Sequence, residues 1–392
     1  MALSPQEAER IARAGAAALQ AGDPKSARAG FEQLVAAGAA TAQVWLLLAH
    51  ACRGTGDAAA EEAAVDQLLA RDPRHLAGLI LKGDCLSRRG DERGATSFYQ
   101  AAITGAGQAG PLPPAWQAEI RRIEGLVARA GGNYQHHLQS HLAAAGFDPE
   151  SVSGRFSQSI DILLQKKQVY FQQPSAYYFP ELPQRQFYER DDFPWLAGIE
   201  AATDAIRAEL LAVLAGEQGF KPYVQPEPDR PHDDFHGLLG NPDWSAFYLI
   251  EDGTTVEANA ARCPGTIAAL AEAPLTQIPG RTPSVLFSLL RAGTRIPPHA
   301  GMLNSRLICH LPLIVPPGCA LRVGNETRSW EVGTTLIFDD SMEHEAWNDS
   351  DQLRVVLLFD IWRPELSAKE RSAVAAMFEA IDSFGPPSPA AP

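Results

Sequence analysis

From about residue 283 onward, short runs of apolar residues alternate with turns. The runs are rich in branched and aromatic residues, and the turns between them contain Gly, Pro, Asn and Asp. Short strands joined in this way are typical of an antiparallel sandwich or barrel. The runs expected to form strands are SVLFSLL, SRLICHLPLIV, CALRVG, RSWEV, TTLIFDD, HEAWND and LRVVLLFDIW. We expect a helix over 195–216 before them and a last helix over about 367–383 after them.

The front of the chain has a different pattern, which repeats every 34 residues. The dipeptide Gly-Asp occurs at 22–23, 56–57 and 90–91, and a fixed period of this length indicates a stacked helical repeat. Small residues precede these pairs and aromatic or branched residues follow them, at Gly15, Ala49, Gly83 and at Phe31, Val65, Tyr99. We expect the small residues to let paired helices approach closely, and the larger ones to fill the gap between neighbouring repeats.

The segment from about 8 to 109 resembles three tetratricopeptide repeats. Such arrays present extended concave surfaces, so a protein- or peptide-binding role is the favoured interpretation. The alternative is that the helices only brace the second domain or a dimer. A helical region is expected to follow, with one helix over 118–130, a break at Gly-Gly-Asn, and a second helix carrying His136, His137 and His141. His137 and His141 could bind a metal on one helix face, but an exposed polar face is favoured.

Composition and charge narrow the class of protein. The 392 residues include 33 Lys and Arg against 47 Asp and Glu, a net charge of −14, which argues against a nucleic-acid footprint because that needs a basic face. No apolar run approaches the length of a membrane-spanning helix. The five Cys are odd in number and form no Cys-x-x-Cys pair, which disfavours a disulfide framework or a structural zinc site. We therefore expect a soluble, acidic, cytoplasmic protein without a membrane span.

The histidines of the predicted barrel are the candidates for chemistry. A pair such as His299 and His344, on opposing strands, can hold one metal, and Arg354 on the next strand can pair with the carboxylate of a 2-oxo acid. Non-haem iron oxygenases combine these features with a third, carboxylate ligand. That carboxylate is missing here, because Gly301 stands where a His-x-Asp motif would have Asp. Taken singly, His344 could equally be a turn residue and Arg354 a surface ion pair, and the third barrel histidine, His310, could be a core residue.

A true His-x-Asp motif occurs elsewhere, at His232-Asp233-Asp234. It lies 112 residues before His344, in the polar, Pro- and Asp-rich stretch PEPDRPHDDFHG. That stretch is predicted to be a loop. The 45-residue spacing from His299 to His344 suits strands of one barrel better, so the loop triplet is the less favoured metal site.

The segment from about 175 to 370 resembles the aspartyl/asparaginyl β-hydroxylase family. The resemblance is carried by ELPQRQFYERDDFPWL, DWSAFYL, IPPHAGMLNSRLICH, RVGNETRSWEVGTTLIFDDSMEHEAWNDS and LFDIWRPEL. It implies a double-stranded β-helix (jelly-roll, cupin-like) oxygenase that uses iron(II), 2-oxoglutarate and oxygen. The family has His-x-Gly with only two His ligands, which Gly301 fits. The predicted fold class is thus α+β, with tetratricopeptide-like repeats over 1–109, a helical linker over 110–174, the oxygenase domain over 175–385 and a flexible tail over 386–392.

The resemblance also implies roles for individual residues. His299 and His344 would be the catalytic iron ligands. Arg354 and Ser288 would bind the distal carboxylate of 2-oxoglutarate, and His310 would contact the carboxylate nearer the metal.

Two further positions concern the substrate. Arg306 would face it and recognise a side-chain carboxylate or amide. Two residues later the family has a second Arg, but this chain has Ile308, which removes a charge-assisted contact of about 1.5–3 kcal/mol.

Three functions follow as hypotheses. The leading one is hydroxylation of Asp or Asn residues in a protein or peptide presented by the repeats, with release of succinate and carbon dioxide. The second is an oxygenase of a small molecule or lipid, which Ile308 favours. The third is a repeat adaptor whose barrel binds ligands without turnover.

Overall fold

The computed structural model describes residues 3–216, 219–226 and 234–384. The chain divides into two compact units, Met1–Lys166 and Lys167–Pro392. The first is helical and the second is built on antiparallel sheets, which confirms the prediction of an α+β chain. The predicted tail 386–392 lies outside the described residues. Within the described ranges, no helix is both long and apolar enough to cross a membrane.

The first unit consists of helix pairs followed by a long helix. Helices α1 to α6 pack as the pairs α1–α2, α3–α4 and α5–α6. The bounds are α1 Pro5–Gln20, α2 Pro24–Ala36, α3 Ala42–Gly54, α4 Ala58–Arg71, α5 Leu76–Arg88, α6 Glu92–Gln108, α7 Pro114–Ala144, α8 Pro149–Val152 and α9 Gly154–Leu163.

The Gly-Asp repeat marks the turn inside each helix pair. The glycines have φ angles of 77°, 77° and 83°, a left-handed conformation that Gly adopts readily and that ends a helix. The aspartates that follow cap the next helix, because each side chain accepts a hydrogen bond from a backbone N–H three residues later. The 34-residue period is therefore the period of a helix-ending Gly and a helix-capping Asp.

The small and large positions of the repeat meet each other. A Cβ at Gly15 would lie 2.8 Å from the Phe31 ring, and a Cβ at Gly83 would overlap the Tyr99 ring. Close approach through small residues is thus confirmed, but the contact lies between the two helices of one repeat, not between neighbouring repeats as expected.

The predicted break after the repeats is wrong. Helix α7 continues through Gly131 and Gly132 without interruption. Glycine costs only about 1 kcal/mol inside a helix, so two of them did not outweigh the helix-forming residues on either side. The rings of His137 and His141 stack at a centroid distance of 6.3 Å on an exposed face of α7.

Two antiparallel sheets form the second unit. The larger has the order β1-β10-β7-β12-β5-β3-β2 with β4 beside β3, and the smaller has the order β6-β11-β8-β9. From β5 to β12 the chain passes repeatedly between the two sheets, with β8 and β9 in succession in the smaller one. The double-stranded β-helix stays a prediction. The strands are β1 Phe187–Tyr188, β2 Lys221–Pro222, β3 Trp244–Glu251, β4 Thr254–Thr255, β5 Val285–Leu290, β6 Arg295–His299, β7 Arg306–Ile314, β8 Cys319–Val323, β9 Glu326–Ser329, β10 Leu336–Phe338, β11 His344–Asn348 and β12 Arg354–Trp362.

Helices accompany the larger sheet. The helix expected over 195–216 is divided at Ala202, and the last helix lies where it was expected. The bounds are α10 Leu196–Ala201, α11 Thr203–Ala215, α12 Glu257–Ala260, α13 Pro264–Ala269 and α14 Ala368–Asp382.

Strand β7 separates two interiors. Because successive strand residues point to opposite faces, Leu307 and Cys309 pack in a core that includes α10 and α11. Ile308 points the other way, into a core shared by both sheets, and Phe338 and Leu321 lie in that core with it. The next residue on this second face is His310, so the space between the sheets receives the candidate site.

A buried polar network holds the turn between β10 and β11. Asp339 and Arg363 are fully buried and form an ion pair of 2.8 Å. The Asp339 carboxylate also accepts from Gln172 Nε2 at 2.6 Å and from Ser341 Oγ at 2.5 Å, and Asn304 donates to Gln172 at 3.0 Å. The network joins β12, the turn and the segment before β1.

We expect Gly83→Ala to destabilise the helical unit by about 1–3 kcal/mol, because the added methyl overlaps the Tyr99 ring. Gly105→Ala is the matched control, since a Cβ there meets nothing within 4 Å; it should stabilise by up to about 1 kcal/mol. Urea unfolding followed by circular dichroism measures both. Equal effects of the two variants would contradict the proposed packing.

We expect Asp339→Ala to cost about 3–5 kcal/mol, since it leaves the buried Arg363 guanidinium without its counter-charge. Asp351→Ala, in an exposed turn, should stay within about 0.5 kcal/mol of the parent chain. Thermal unfolding gives the comparison. A small loss for Asp339→Ala would mean that the network does not hold the turn.

Candidate functional site

The two predicted metal ligands are neighbours on adjacent strands of the smaller sheet. His299 ends β6 and His344 begins β11, and they are paired residues of the β6–β11 ladder. Their ring centroids are 4.1 Å apart. His344 is buried and His299 is partly buried, so both rings lie at one end of the space between the sheets.

Both rings are oriented in the same way by the backbone. His299 Nδ1 lies 2.8 Å from the carbonyl of Pro297, and His344 Nδ1 lies 3.0 Å from the carbonyl of Met342. A neutral ring whose Nδ1–H donates to a carbonyl keeps its lone pair on Nε2, the atom then available to a metal. Burial lowers the pKa of His299, and burial with the neighbouring His299 lowers the pKa of His344 to about 3. Both rings are therefore held neutral.

Gly301 has no room for a side chain. A Cβ at this position would overlap the carboxylate of Asp340, and the Gly301 N–H donates to the Asp340 carbonyl at 2.6 Å. The carboxylate of Asp340, in the turn before His344, thus occupies the space that a side chain at position 301 would need. Among the described residues, no three His, Cys, Asp or Glu side chains form a metal-binding cluster.

Arg354 is a buried cation without an acidic partner. It is 1% exposed, and no carboxylate in the described part of the chain pairs with it. Its Nη1 donates to the backbone carbonyl of Ser288 at 3.3 Å, its Nε has no partner, and its Cζ lies 4.7 Å above the Trp330 ring. Burial lowers the pKa of Arg354 to about 10, so the guanidinium is still charged at neutral pH.

Ser288 and His310 lie near this cation. Ser288 is on β5 and its Oγ accepts from Trp244 Nε1 at 3.4 Å. His310 is on β7, and its Nδ1 is buried without a partner. Burial and the charge of Arg354 lower the pKa of His310 well below its usual value. A neutral imidazole can donate one hydrogen bond and accept another.

Arg306 has a different environment. Its side chain is 15% exposed and lies between two carboxylates, at 3.3 Å from Asp340 and 3.6 Å from Asp360. Burial raises the pKa of Asp340 to about 6. Two carboxylates thus balance the charge of Arg306. Arg354 is also an interior arginine, but no carboxylate among the described residues balances its charge.

Ile308 lies between Arg306 and His310 on the same face of β7. It is 7% exposed and belongs to an apolar cluster with Phe338 and Val356. The position at which the family resemblance would place a second guanidinium is therefore a well-packed aliphatic one.

Sequence reasoning missed two buried residues near these arginines, Asp360 and Trp330. Asp360 is the lone acidic residue in the run LRVVLLFDIW, a signal that could have been used. Trp330 lies just beyond β9, although the run RSWEV was expected to be a strand through this residue. In the alternative metal triplet, His232 and Asp233 lie outside the described residues, and Asp234 accepts from the Gly237 N–H at 2.9 Å.

Comparison with known proteins gives consistent matches to the second unit. Residues 200–364 match the family described as aspartyl/asparaginyl β-hydroxylase. The human protein named aspartyl/asparaginyl β-hydroxylase is 37% identical over 173 residues, which are 44% of this chain and 21% of that protein. The ornithine lipid ester-linked acyl 2-hydroxylase of Rhizobium tropici is 38% identical over 180 residues, which are 45% of this chain and 60% of that protein. Human aspartate β-hydroxylase domain-containing protein 2 is 30% identical over 210 residues, 53% of this chain and 55% of that protein.

The chain thus spans 21% to 60% of the length of these three relatives. For the first unit, the solved Sgt2 TPR domain of Aspergillus fumigatus covers 33% of this chain and 83% of its own length, at 18% identity and a TM-score of 0.29. A score this low carries no fold argument, so the repeat assignment depends on the helix pairs themselves. The family match and the relatives agree over the two-sheet unit, which is similar to the aspartyl/asparaginyl β-hydroxylase family over residues 200–364.

Proposed function

We propose that the chain is an iron(II)- and 2-oxoglutarate-dependent hydroxylase of Asp or Asn residues in a protein or peptide. The observation that carries the proposal is Arg354, a buried guanidinium with no acidic partner among the described residues. Leaving such a charge uncompensated is costly, and an anionic ligand would remove the cost. Two neutral, like-oriented histidines in the same two-sheet interior supply the accompanying metal donors.

The donor set fits iron(II). His299 and His344 would hold it through Nε2, since both Nδ1 atoms are engaged by backbone carbonyls. Two imidazoles leave most of an octahedral shell for a co-substrate and oxygen. Bound iron(II) would couple the oxidative decarboxylation of 2-oxoglutarate, to succinate and carbon dioxide, to hydroxylation of the substrate.

The protein's own residues would bind and orient the co-substrate. The Arg354 guanidinium would bind the distal carboxylate, and Ser288 Oγ would donate to the same end. His310 would donate to the carboxylate nearer the metal through Nδ1, which has no partner among the described residues. The apolar cluster around Ile308 would exclude water from the bound chain and so strengthen these charge-assisted contacts.

Arg306 would orient the substrate. Because Asp340 and Asp360 neutralise and position its guanidinium, it would act as a fixed hydrogen-bond donor to a side-chain carbonyl. The helical repeats would present the protein or peptide. The cytoplasmic location expected from the sequence stays a prediction, in keeping with five free, buried cysteines.

A lipid or small-molecule substrate is the second candidate. The buried, aliphatic Ile308 favours it, since this position offers no charge to a polar target. The Rhizobium tropici relative is named as an acyl 2-hydroxylase of a lipid, and its identity to this chain is similar to that of the human Asp/Asn relative.

We expect the metal-free protein, supplied anaerobically with iron(II) and then 2-oxoglutarate, to develop a visible charge-transfer band. His344→Ala should abolish the band, and Arg354→Ala should raise the 2-oxoglutarate concentration needed for half of it by about tenfold or more. His141→Ala, on an exposed helix face, is the matched histidine control and should leave the band unchanged. A band that survives His344→Ala would refute the assigned metal ligands.

We expect succinate release to rise with peptides that carry Asp or Asn at a fixed position and not with the matched Ala peptide. Vesicles containing a 2-unsubstituted acyl lipid serve as the second arm of the assay. Stimulation by the vesicles alone would replace the peptide hydroxylase with the lipid candidate. An intact charge-transfer band without stimulation by either arm would favour a non-catalytic adaptor.

A further inference from the structure

Trp330 is a buried donor without an acceptor. It directly follows β9, is 5% exposed and packs in the core shared by the two sheets. Its Nε1 is buried and has no hydrogen-bond partner among the described residues. An unsatisfied buried donor is unfavourable, so an acceptor is expected from outside the chain.

The residues around Trp330 have unpaired nitrogens as well. The Arg354 guanidinium lies 4.7 Å above the indole ring, and the His310 ring centroid is 6.0 Å away. Arg354 Nε and His310 Nδ1 are both buried without partners. Three neighbouring side chains therefore each keep a polar nitrogen that the folded chain does not satisfy.

The one similar indole has no such neighbours. Trp45, in the helical unit, also has an unpaired Nε1, and Arg71 lies over its ring at 5.2 Å. However, Arg71 is exposed and donates to Gln67. Among the described residues, Trp330 alone combines a buried indole N–H that has no partner with a fully buried cation that has no acidic partner.

A carboxylate is the ligand that the Arg354 guanidinium and the Trp330 indole N–H match together. Its two oxygens offer about four acceptor positions, so a guanidinium can take some of them and a further donor can take another. The surrounding cluster is apolar, and Ile308 adds no second charge to it. The neutral indole N–H can then donate to an acceptor position of the carboxylate that the single guanidinium leaves free.

We propose that the indole N–H of Trp330 donates a hydrogen bond to the carboxylate bound by Arg354, which makes Trp330 a binding residue for the distal end of the 2-oxo acid. The inference rests on the proposed function, since that function supplies the 2-oxo acid. The Trp330 ring packs beneath the Arg354 guanidinium, and the Trp330 N–H binds the carboxylate. One side chain therefore positions both the cation and the anion.

Trp330→Phe tests the N–H while keeping an aromatic ring beneath Arg354. Isothermal titration of 2-oxoglutarate into the anaerobic iron(II) protein should give a Kd roughly tenfold higher than that of the parent chain. Trp347→Phe is the matched control, because Trp347 also lies beneath an arginine, Arg295 at 5.5 Å, on β11; its Kd should not change. A Trp330→Phe affinity within twofold of the parent would overturn the inference alone. Absence of any 2-oxoglutarate binding by the parent chain would overturn the proposed function with it.

A second measurement tests the inference even if the Trp330→Phe variant fails to fold. In the zinc-loaded chain with ¹⁵N-labelled tryptophan, 2-oxoglutarate should shift the Trp330 indole N–H signal downfield. Saturating 2-oxopentanoate, which has a methyl group in place of the distal carboxylate, should not produce that shift. The signal is assigned with Trp330→Phe or, if that chain is unfolded, with Trp330→Tyr, and the other six indoles are internal references. A Trp330 signal that 2-oxoglutarate leaves in place overturns the inference.

Discussion

The buried ion pair between Asp339 and Arg363 is the constraint on which the candidate site depends. Both side chains are fully buried, so neither charge can be left alone without a large loss of stability. Arg363 follows β12 and Asp339 follows β10, and the carboxylate also fixes Ser341 in the turn that leads into His344. The position of His344, a metal ligand under the proposed function, therefore depends on a charge pair that would take no part in binding.

The alternation of side chains along the strands then decides which residues reach the candidate site. On β7 it gives alternate apolar residues to the helix side and leaves Arg306, Ile308 and His310 facing the other sheet. On β12 the same alternation directs Arg354 into that interior. Since cations are rarely buried without a partner, the folded chain carries an unfavourable charge at Arg354. Under the proposed function, a bound anion would relieve it.

Sequence patterns correctly predicted the features that depend on interactions between residues close together in the chain. The Gly-Asp period located the helix pairs because a left-handed Gly and a capping Asp act over a few residues. The spacing of His299 and His344 was compatible with opposing strands, and the structure pairs them directly. Asp360 and Trp330 were not found, because their significance arises only when β12 and the end of β9 are brought against other strands. The uninterrupted α7 was missed for the opposite reason, since local glycine penalties were overestimated.

The two interior arginines show why residue type alone cannot assign a site. Arg306 and Arg354 begin two paired strands, β7 and β12, and both side chains are largely buried. Asp340 and Asp360 accompany the first, whereas Trp330 and a backbone carbonyl accompany the second. A compensated guanidinium attracts a further anion weakly, and an uncompensated one in an apolar interior attracts it strongly. Tertiary pairing creates this electrostatic difference. Under the proposed function, it would separate the end of the interior that binds the anionic co-substrate from the end that orients a polar target.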